Sequence, residues 1–267
     1  MKIGTHIFDI NKTHIMGILN VTPDSFSDGG TYDTVDTALF HVEEMIREGA
    51  ELIDVGGEST RPGHKVISQE EEIRRVVPVI EKIAGNFDIP ISVDTYKSGV
   101  ARAALEAGAH MVNDIWGLKH DPAMARLIAE RQAACCLMQN RVEAVYDNFL
   151  EDLCRDLADS VRLAKEAGIA DDKIILDPGI GFGKTYEMNL EAIRRAEALS
   201  ELGYPVLLAA SRKSVIGLTL DLPADQRVEG TLATTVMAVM KGCMFVRVHD
   251  IRENKRVIQM TEAILGR

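Results

Sequence analysis

Eight short apolar runs punctuate the chain, with cores at Ile15 to Asn20, Leu52 to Val55, Ile91 to Asp94, Met111 to Asp114, Ala134 to Met138, Ile174 to Asp177, Val206 to Ala209 and Phe245 to Val248. Each is too short and too continuously apolar for an amphipathic helix, and reads as a strand covered on both faces. Between them lie stretches of helical period, near Thr34 to Glu48, Gln69 to Ala84, Lys97 to Ala107, Pro122 to Glu130, Asp147 to Ala167, Tyr186 to Leu202, Gln226 to Lys241 and Glu253 to Leu265. Gly49, Gly108, Gly168 and Gly203 stand where left-handed residues end helices. This alternation predicts βα units and a parallel sheet. Eight units in about 250 residues predict an α/β protein of the (β/α)8 TIM-barrel type, preceded by a short hairpin or extended segment over residues 2–13. No linker or low-complexity tract divides the sequence, so residues 1–267 read as a single domain. A doubly wound open sheet is the alternative.

A barrel places its chemistry at the carboxyl ends of its strands. In order these ends carry Asn20, Glu58-Ser-Thr-Arg61, Asp94, Asn113-Asp114, Gln139-Asn140, Asp177, Ser211-Arg-Lys213 and Arg247-Val-His249, and every one is polar. Asp94, Asn113 and Asp177 suit the edge of a flat heterocycle, where a carboxylate accepts parallel N–H bonds and an amide both donates and accepts. Arg61, Lys213, Arg247 and His249 suit anions. Arg247 and His249 lie two positions apart at a strand end, hence on one side of the extended chain.

Composition narrows the partners. A formal charge of -11 disfavours nucleic acid and anionic membranes, which are held by clustered Lys and Arg. Cys135, Cys136, Cys154 and Cys243 form neither a metal-ligand pair nor a disulfide framework. With no signal-like apolar core at the N-terminus and no run of about 18 apolar residues, the chain reads as soluble and cytoplasmic. His6, His14, His41, His64, His110 and His120 show no ligand spacing.

Three glycine-rich stretches remain. In Ile174-Ile-Leu-Asp-Pro-Gly-Ile-Gly-Phe-Gly-Lys184, Pro178 occupies the place where a Walker A loop needs glycine. Gly179, Gly181 and Gly183 alternate, which a dinucleotide fingerprint does not. These glycines therefore read as a turn beneath Asp177. The long, hydroxyl-rich Asn20 to Gly30 stretch has the composition of a lid over substrate, and Gly56 to Gly63 carries the same signals.

Asn20 to Gly30, Asp54 to Gly63, Ser92-Val-Asp-Thr95, Asn113-Asp-Ile115, Leu176 to Lys184, Ser211-Arg-Lys-Ser214 and Arg247-Val-His-Asp250 together resemble the dihydropteroate synthase family, over nearly the whole chain and in the family's order. That resemblance implies a TIM barrel that joins p-aminobenzoate to 6-hydroxymethyl-7,8-dihydropterin pyrophosphate, giving 7,8-dihydropteroate and pyrophosphate in folate synthesis, with Mg2+. It implies that Asp94, Asn113, Asp177 and Lys213 hold the pterin, with Phe182 beneath the ring and Met138 lining the pocket. Asn20, Arg247 and His249 would bind pyrophosphate, with Asn20 also ligating the metal. Whether Asp24 or Asp28 joins it there is left open. Phe26, Thr60, Arg61, Pro62 and Ser214 would form the p-aminobenzoate site, and Asp28 would steady a cationic pterin. Catalytic work would fall to Asp28, Lys213, Arg247 and His249. The chemistry expected is SN1-like: the electron-rich dihydropterin expels pyrophosphate, and the site stabilises both fragments.

The match loosens after the fifth run, where the family usually has histidine and this chain reads Leu137-Met-Gln-Asn-Arg141. The stretch Thr231 to Met240 is small or apolar on nearly every face, which predicts a homodimer through this helix, as the resemblance also implies. A pterin-binding paralogue without synthase activity is the principal rival, and a corrinoid methyltransferase pterin domain a further one. The latter would lack the p-aminobenzoate loop and Arg247-Val-His249.

Overall fold

The computed structural model describes residues 1–22, 31–59 and 66–267, and the side chains of residues 31–34 are left aside. Lys2–Ile3 (β1) pairs antiparallel with His6–Ile7 (β2), giving the N-terminal hairpin. Eight parallel strands follow: β3 (His14–Asn20), β4 (Leu52–Gly56), β5 (Ile91–Asp94), β6 (Met111–Asp114), β7 (Ala134–Met138), β8 (Ile174–Asp177), β9 (Leu207–Leu208) and β10 (Phe245–Val248). They run in the order β8-β7-β6-β5-β4-β3-β10-β9. Val206, just before β9, bridges Leu176 of β8, and Leu176 N–H donates to Pro205 C=O at 2.9 Å, so the sheet closes. The product is an α/β barrel, not an open sheet.

Strand parity builds two cores. Ile15, Ile53, Val93, Val112, Cys135, Leu176, Leu208 and Val246 turn outward and pack under the helices. Met16, Leu52, Met111, Cys136, Ile175, Leu207 and Phe245 turn inward and fill the lower lumen together with Ile3 and Phe8 of the hairpin region. Phe8 lies 5.3 Å from the Phe245 ring and edge-on to His14 at 5.0 Å, sealing the amino-terminal mouth. Among the described residues this packing fills the amino-terminal end and leaves the polar chemistry to the opposite rim.

The outer helices among the described residues are α1 (Thr31–Glu48), α2 (Gln69–Asn86), α3 (Ser98–Glu106), α4 (Met124–Arg131), α5 (Phe149–Glu166), α6 (Tyr186–Arg194), α7 (Glu197–Ser200), α8 (Ser214–Leu220), α9 (Val228–Met240) and α10 (Ile251–Leu265). Ser68 and Thr185 cap α2 and α6 by accepting from Glu71 N and Met188 N, and three acids in the first turn of α2 complement its dipole. Gly49, Gly108, Gly168 and Gly203 adopt positive φ, as their positions predict. The helix expected over Tyr186 to Leu202 breaks at Arg195, which turns Ala196 and Leu199 onto the core. No helix of the described residues is long and apolar enough to cross a membrane.

Candidate functional site

One step above the apolar plug, the same inward parity presents polar residues: Asp54, Ser92, Asp94, Asn113, Asp177 and Arg247. Met138 shares that parity and stays apolar. Burying such a set requires pairing. Arg247 supplies much of it, donating from Nε to Asp54 Oδ2 at 2.6 Å and from Nη2 to Asp94 Oδ2 at 2.8 Å. Asn113 Nδ2 donates to the same Asp54 oxygen at 3.0 Å. Asp54 Oδ1, Asp94 Oδ1 and Ser92 Oγ are buried and accept no bond from any described residue. Each such atom costs about 1–3 kcal/mol, which a ligand with N–H donors recovers.

The electrostatics follow from this crowding. Burial pushes the Asp94 carboxyl up to about 7, with Arg247 opposing and Asp54 reinforcing the rise. Burial works against the charge of Arg247, yet Asp54 and Asp94 hold it above its ordinary value. Asp177 is also raised by burial, against Lys213 and the Gly179 N–H, which reaches its Oδ1 at 2.7 Å. Lys213 is pulled down to about 8 by burial, with Asp177 opposing.

Lys213 owes its inward direction to its neighbour. Arg212 adopts φ 57°, its N–H donates to Thr231 Oγ1 at 3.1 Å, and its guanidinium grips Asp250. This turn sends the Lys213 ammonium to the Ile180 carbonyl and places it 4.8 Å from the centre of the Phe182 ring. Phe182 and Met138 belong to one small apolar cluster with Tyr96, Ile115 and Trp116, a wall of the right kind for a flat ring. Ser214 follows at the exposed start of α8.

The structure thus brings Asp94, Asn113, Asp177, Lys213, Phe182, Met138 and Arg247 to one mouth. Asn20 ends β3 beside them, since a Cβ added to Gly56 would meet its Oδ1 at 3.6 Å and Asp94 Oδ2 at 3.8 Å. His249 turns to β9, its Nδ1 2.9 Å from Ser211 Oγ, while Arg247 dips to the lumen carboxylates. Phe26, Asp28, Thr60, Arg61 and Pro62, and also Asp24, lie outside the described residues. Sequence reasoning missed Asp54, although an acid in the otherwise apolar Leu52–Gly56 strand, at the inward parity of Leu52, is its signal. It also missed the positioning pair Arg212–Asp250, whose members stand 38 positions apart and so leave no local signal.

An oxygen-seeking divalent cation fits this corner. Asn20 Oδ1 is a hard donor near Asp94, and among the described residues no group of three or more His, Cys, Asp or Glu is placed to cage a metal. A carboxamide oxygen is the kind of hard donor that a cation of this class takes.

A buried acceptor fork, an ammonium and an apolar wall at the top of a closed barrel define an enzyme for a flat, nitrogen-rich ring. The model of the family "Pterin binding enzyme" matches residues 16–249. The dihydropteroate synthase of Clostridium beijerinckii is 58% identical, covering 100% of both chains. The solved dihydropteroate synthase of Clostridium difficile, in the presence of pteroic acid, superposes with TM-score 0.95 at 49% identity, covering 98% of this chain and 100% of that one. That of Xanthomonas albilineans with 4-aminobenzoic acid gives 0.94 at 40%, covering 98% and 97%. The chain belongs to the dihydropteroate synthases, pterin-binding transferases of folate biosynthesis.

Proposed function

We propose that this barrel mouth joins 6-hydroxymethyl-7,8-dihydropterin pyrophosphate to p-aminobenzoate, with the described residues in the following roles. Asp94 and Asp177 accept N–H bonds from the pterin edge, Asn113 adds an amide contact, and the Lys213 ammonium donates to a ring acceptor. Phe182 and Met138 hold the ring face. The observation that carries the reading is the Asp94 carboxylate: one oxygen is held by Arg247, and the other is buried at the head of the lumen with no donor among the described residues.

Bond breaking precedes bond making. The C–O bond at the exocyclic methylene breaks, both electrons leave with pyrophosphate, and the ring nitrogens delocalise the cation left behind. The carboxylates around the ring stabilise that cation, while Arg247, His249 and Asn20 face the departing oxygens. Asn20 Oδ1 would hold Mg2+, which when bound would supply neutralising charge to the leaving group. The uncharged aniline nitrogen of p-aminobenzoate then attacks the methylene carbon and loses a proton to water, so no strong base is needed. Phe26, Asp28, Thr60, Arg61, Pro62 and Ser214 complete the proposal on the p-aminobenzoate side, as the family resemblance implies.

The whole chain acts as one domain, in the cytoplasm, and pairs with a second copy through α9. Apolar side chains left on the surface of this sector support the pairing: Leu218 on α8, Met240 on α9, and Met260 and Ile264 on α10 are all exposed. Calorimetric titration with 6-hydroxymethylpterin tests the pocket. Wild type should bind and Asp177→Asn should bind at least tenfold more weakly, a loss of about 1.4 kcal/mol or more. Equal affinities contradict the assignment.

A further inference from the structure

Gln139 follows β7 and is almost wholly buried, with 1% of its surface exposed. Its Nε2 donates to Asp156 Oδ2 on α5 at 2.9 Å and to the Tyr146 hydroxyl at 3.1 Å, and its Oε1 accepts from Lys184 Nζ. The Tyr146 hydroxyl donates in turn to the Gly183 carbonyl at 3.0 Å. Lys184 Nζ also donates to the Phe182 carbonyl at 3.1 Å. Arg141 secures the far side by donating to Asp156 from Nε at 2.7 Å and from Nη2 at 3.1 Å. Two carbonyls of the Gly179 to Lys184 turn are therefore held by side chains that converge on one amide.

That turn carries two parts of the pterin pocket, the Phe182 ring and the Ile180 carbonyl that receives Lys213. Its glycines leave no room for adjustment, because a Cβ on Gly179 would stand 2.0 Å from the Gln139 carbonyl and one on Gly183 2.2 Å from that of Arg141. The turn thus lies flat against the β7 connection. Lys184 Nζ donates to both Gln139 and the Phe182 carbonyl, and the Tyr146 hydroxyl likewise reaches both Gln139 Oε1 and the Gly183 carbonyl, but Lys184 alone of the two is a cation carried by the turn itself.

We propose that Lys184, acting through Gln139, is the positioning residue that sets the Phe182 turn and hence the Lys213 ammonium against the pterin. The inference rests on the pterin reading above. It assigns Lys184 no contact with substrate. Gln139 suits the task because it offers an acceptor to the ammonium and donors to Asp156 and Tyr146 at once. A neutral histidine keeps the acceptor for the ammonium and one of the two donors, whereas leucine keeps neither.

The test uses the full chain, with calorimetric affinity for 6-hydroxymethylpterin, KM for p-aminobenzoate and the melting midpoint measured together. Lys184→Met and Gln139→Leu should each weaken the pterin about tenfold and leave KM for p-aminobenzoate within about twofold. Gln139→His should restore near wild-type affinity. The double variant Lys184→Met, Gln139→Leu should lose no more than either single one, because the two groups act as a unit. Lowered melting midpoints with unchanged pterin affinity overturn the inference by making the network merely structural. Should Lys184→Met fail to fold, the contrast between Gln139→Leu and Gln139→His decides, and equal pterin affinities in that pair also overturn it. Wild-type protein that fails to bind the pterin refutes the underlying reading instead, so the two failures are distinguishable.

Discussion

Arg247 Nη2 donates to Asp94 Oδ2 at 2.8 Å, which ties β10 to β5 across the head of the lumen and makes a residue expected to serve pyrophosphate also the counter-charge of a pterin ligand. Its Nε does the same for Asp54. The two roles cannot then be separated by truncation. Arg247→Ala leaves two buried carboxylates without their cation, a loss of about 3–5 kcal/mol in denaturant unfolding. Asp94 would stay protonated at neutral pH, so affinity for free pterin should fall along with turnover. Arg247→Lys, which keeps the charge but not the fork, should retain more of both. Unchanged pterin affinity in Arg247→Ala would show that Asp94 works independently of its partner.

Backbone shape at the glycine turn gives a second expectation. Gly179 has φ +70° and sits against the Gln139 carbonyl, so Gly179→Ala meets both strain and a clash. The cost should be about 2 kcal/mol or more. Thermal unfolding should show a clear drop in midpoint, accompanied by weaker pterin binding, because the N–H that supports Asp177 moves with the turn. Gly168→Ala, a positive-φ site with nothing packed on it, should lower stability and leave pterin binding alone.

The pH dependence follows from two opposed groups. The Asp94 cluster titrates near 7 and must be ionised to accept pterin N–H bonds, so binding rises with pH through that value. Lys213 titrates near 8 and must keep its proton, so binding falls above it. A plot of kcat/KM for the pterin substrate against pH should be bell-shaped with its maximum between these values. Lys213→Arg should push the alkaline limb upward, since guanidinium keeps its proton. An alkaline limb that does not move would assign it to another group.

Association is checked by light scattering at micromolar concentration. The wild-type mass should be that of two chains, and Met240→Glu, at a half-exposed position on α9, should shift it toward one. A wild-type mass of one chain removes the dimer.

Much of the site was legible because a closed parallel barrel converts sequence position into place. Once eight strands were recognised, Asp94, Asn113, Asp177 and Arg247 had to share a rim. Partnership was harder to read. Arg247 pairs with Asp54 and Asp94 only because β10, β3, β4 and β5 adjoin in one register, with Ile18 opposite Asp54 and Gly56 opposite Asp94. A single-residue slip would turn those acids outward. The break before α7 was hidden because Tyr186 to Leu202 keeps helical composition throughout. Lys184 looked like the end of a near-miss phosphate loop, and its bond to Gln139, 45 positions away, leaves no local trace.

Pyrophosphate release by the wild-type protein, supplied with 6-hydroxymethyl-7,8-dihydropterin pyrophosphate, p-aminobenzoate and Mg2+, tests the central claim most directly. The account predicts steady release with p-aminobenzoate present, one dihydropteroate formed per pyrophosphate, and loss of both on chelating the metal. Tight binding of the pterin with neither product formed would contradict it and leave a pterin-binding protein without synthase chemistry.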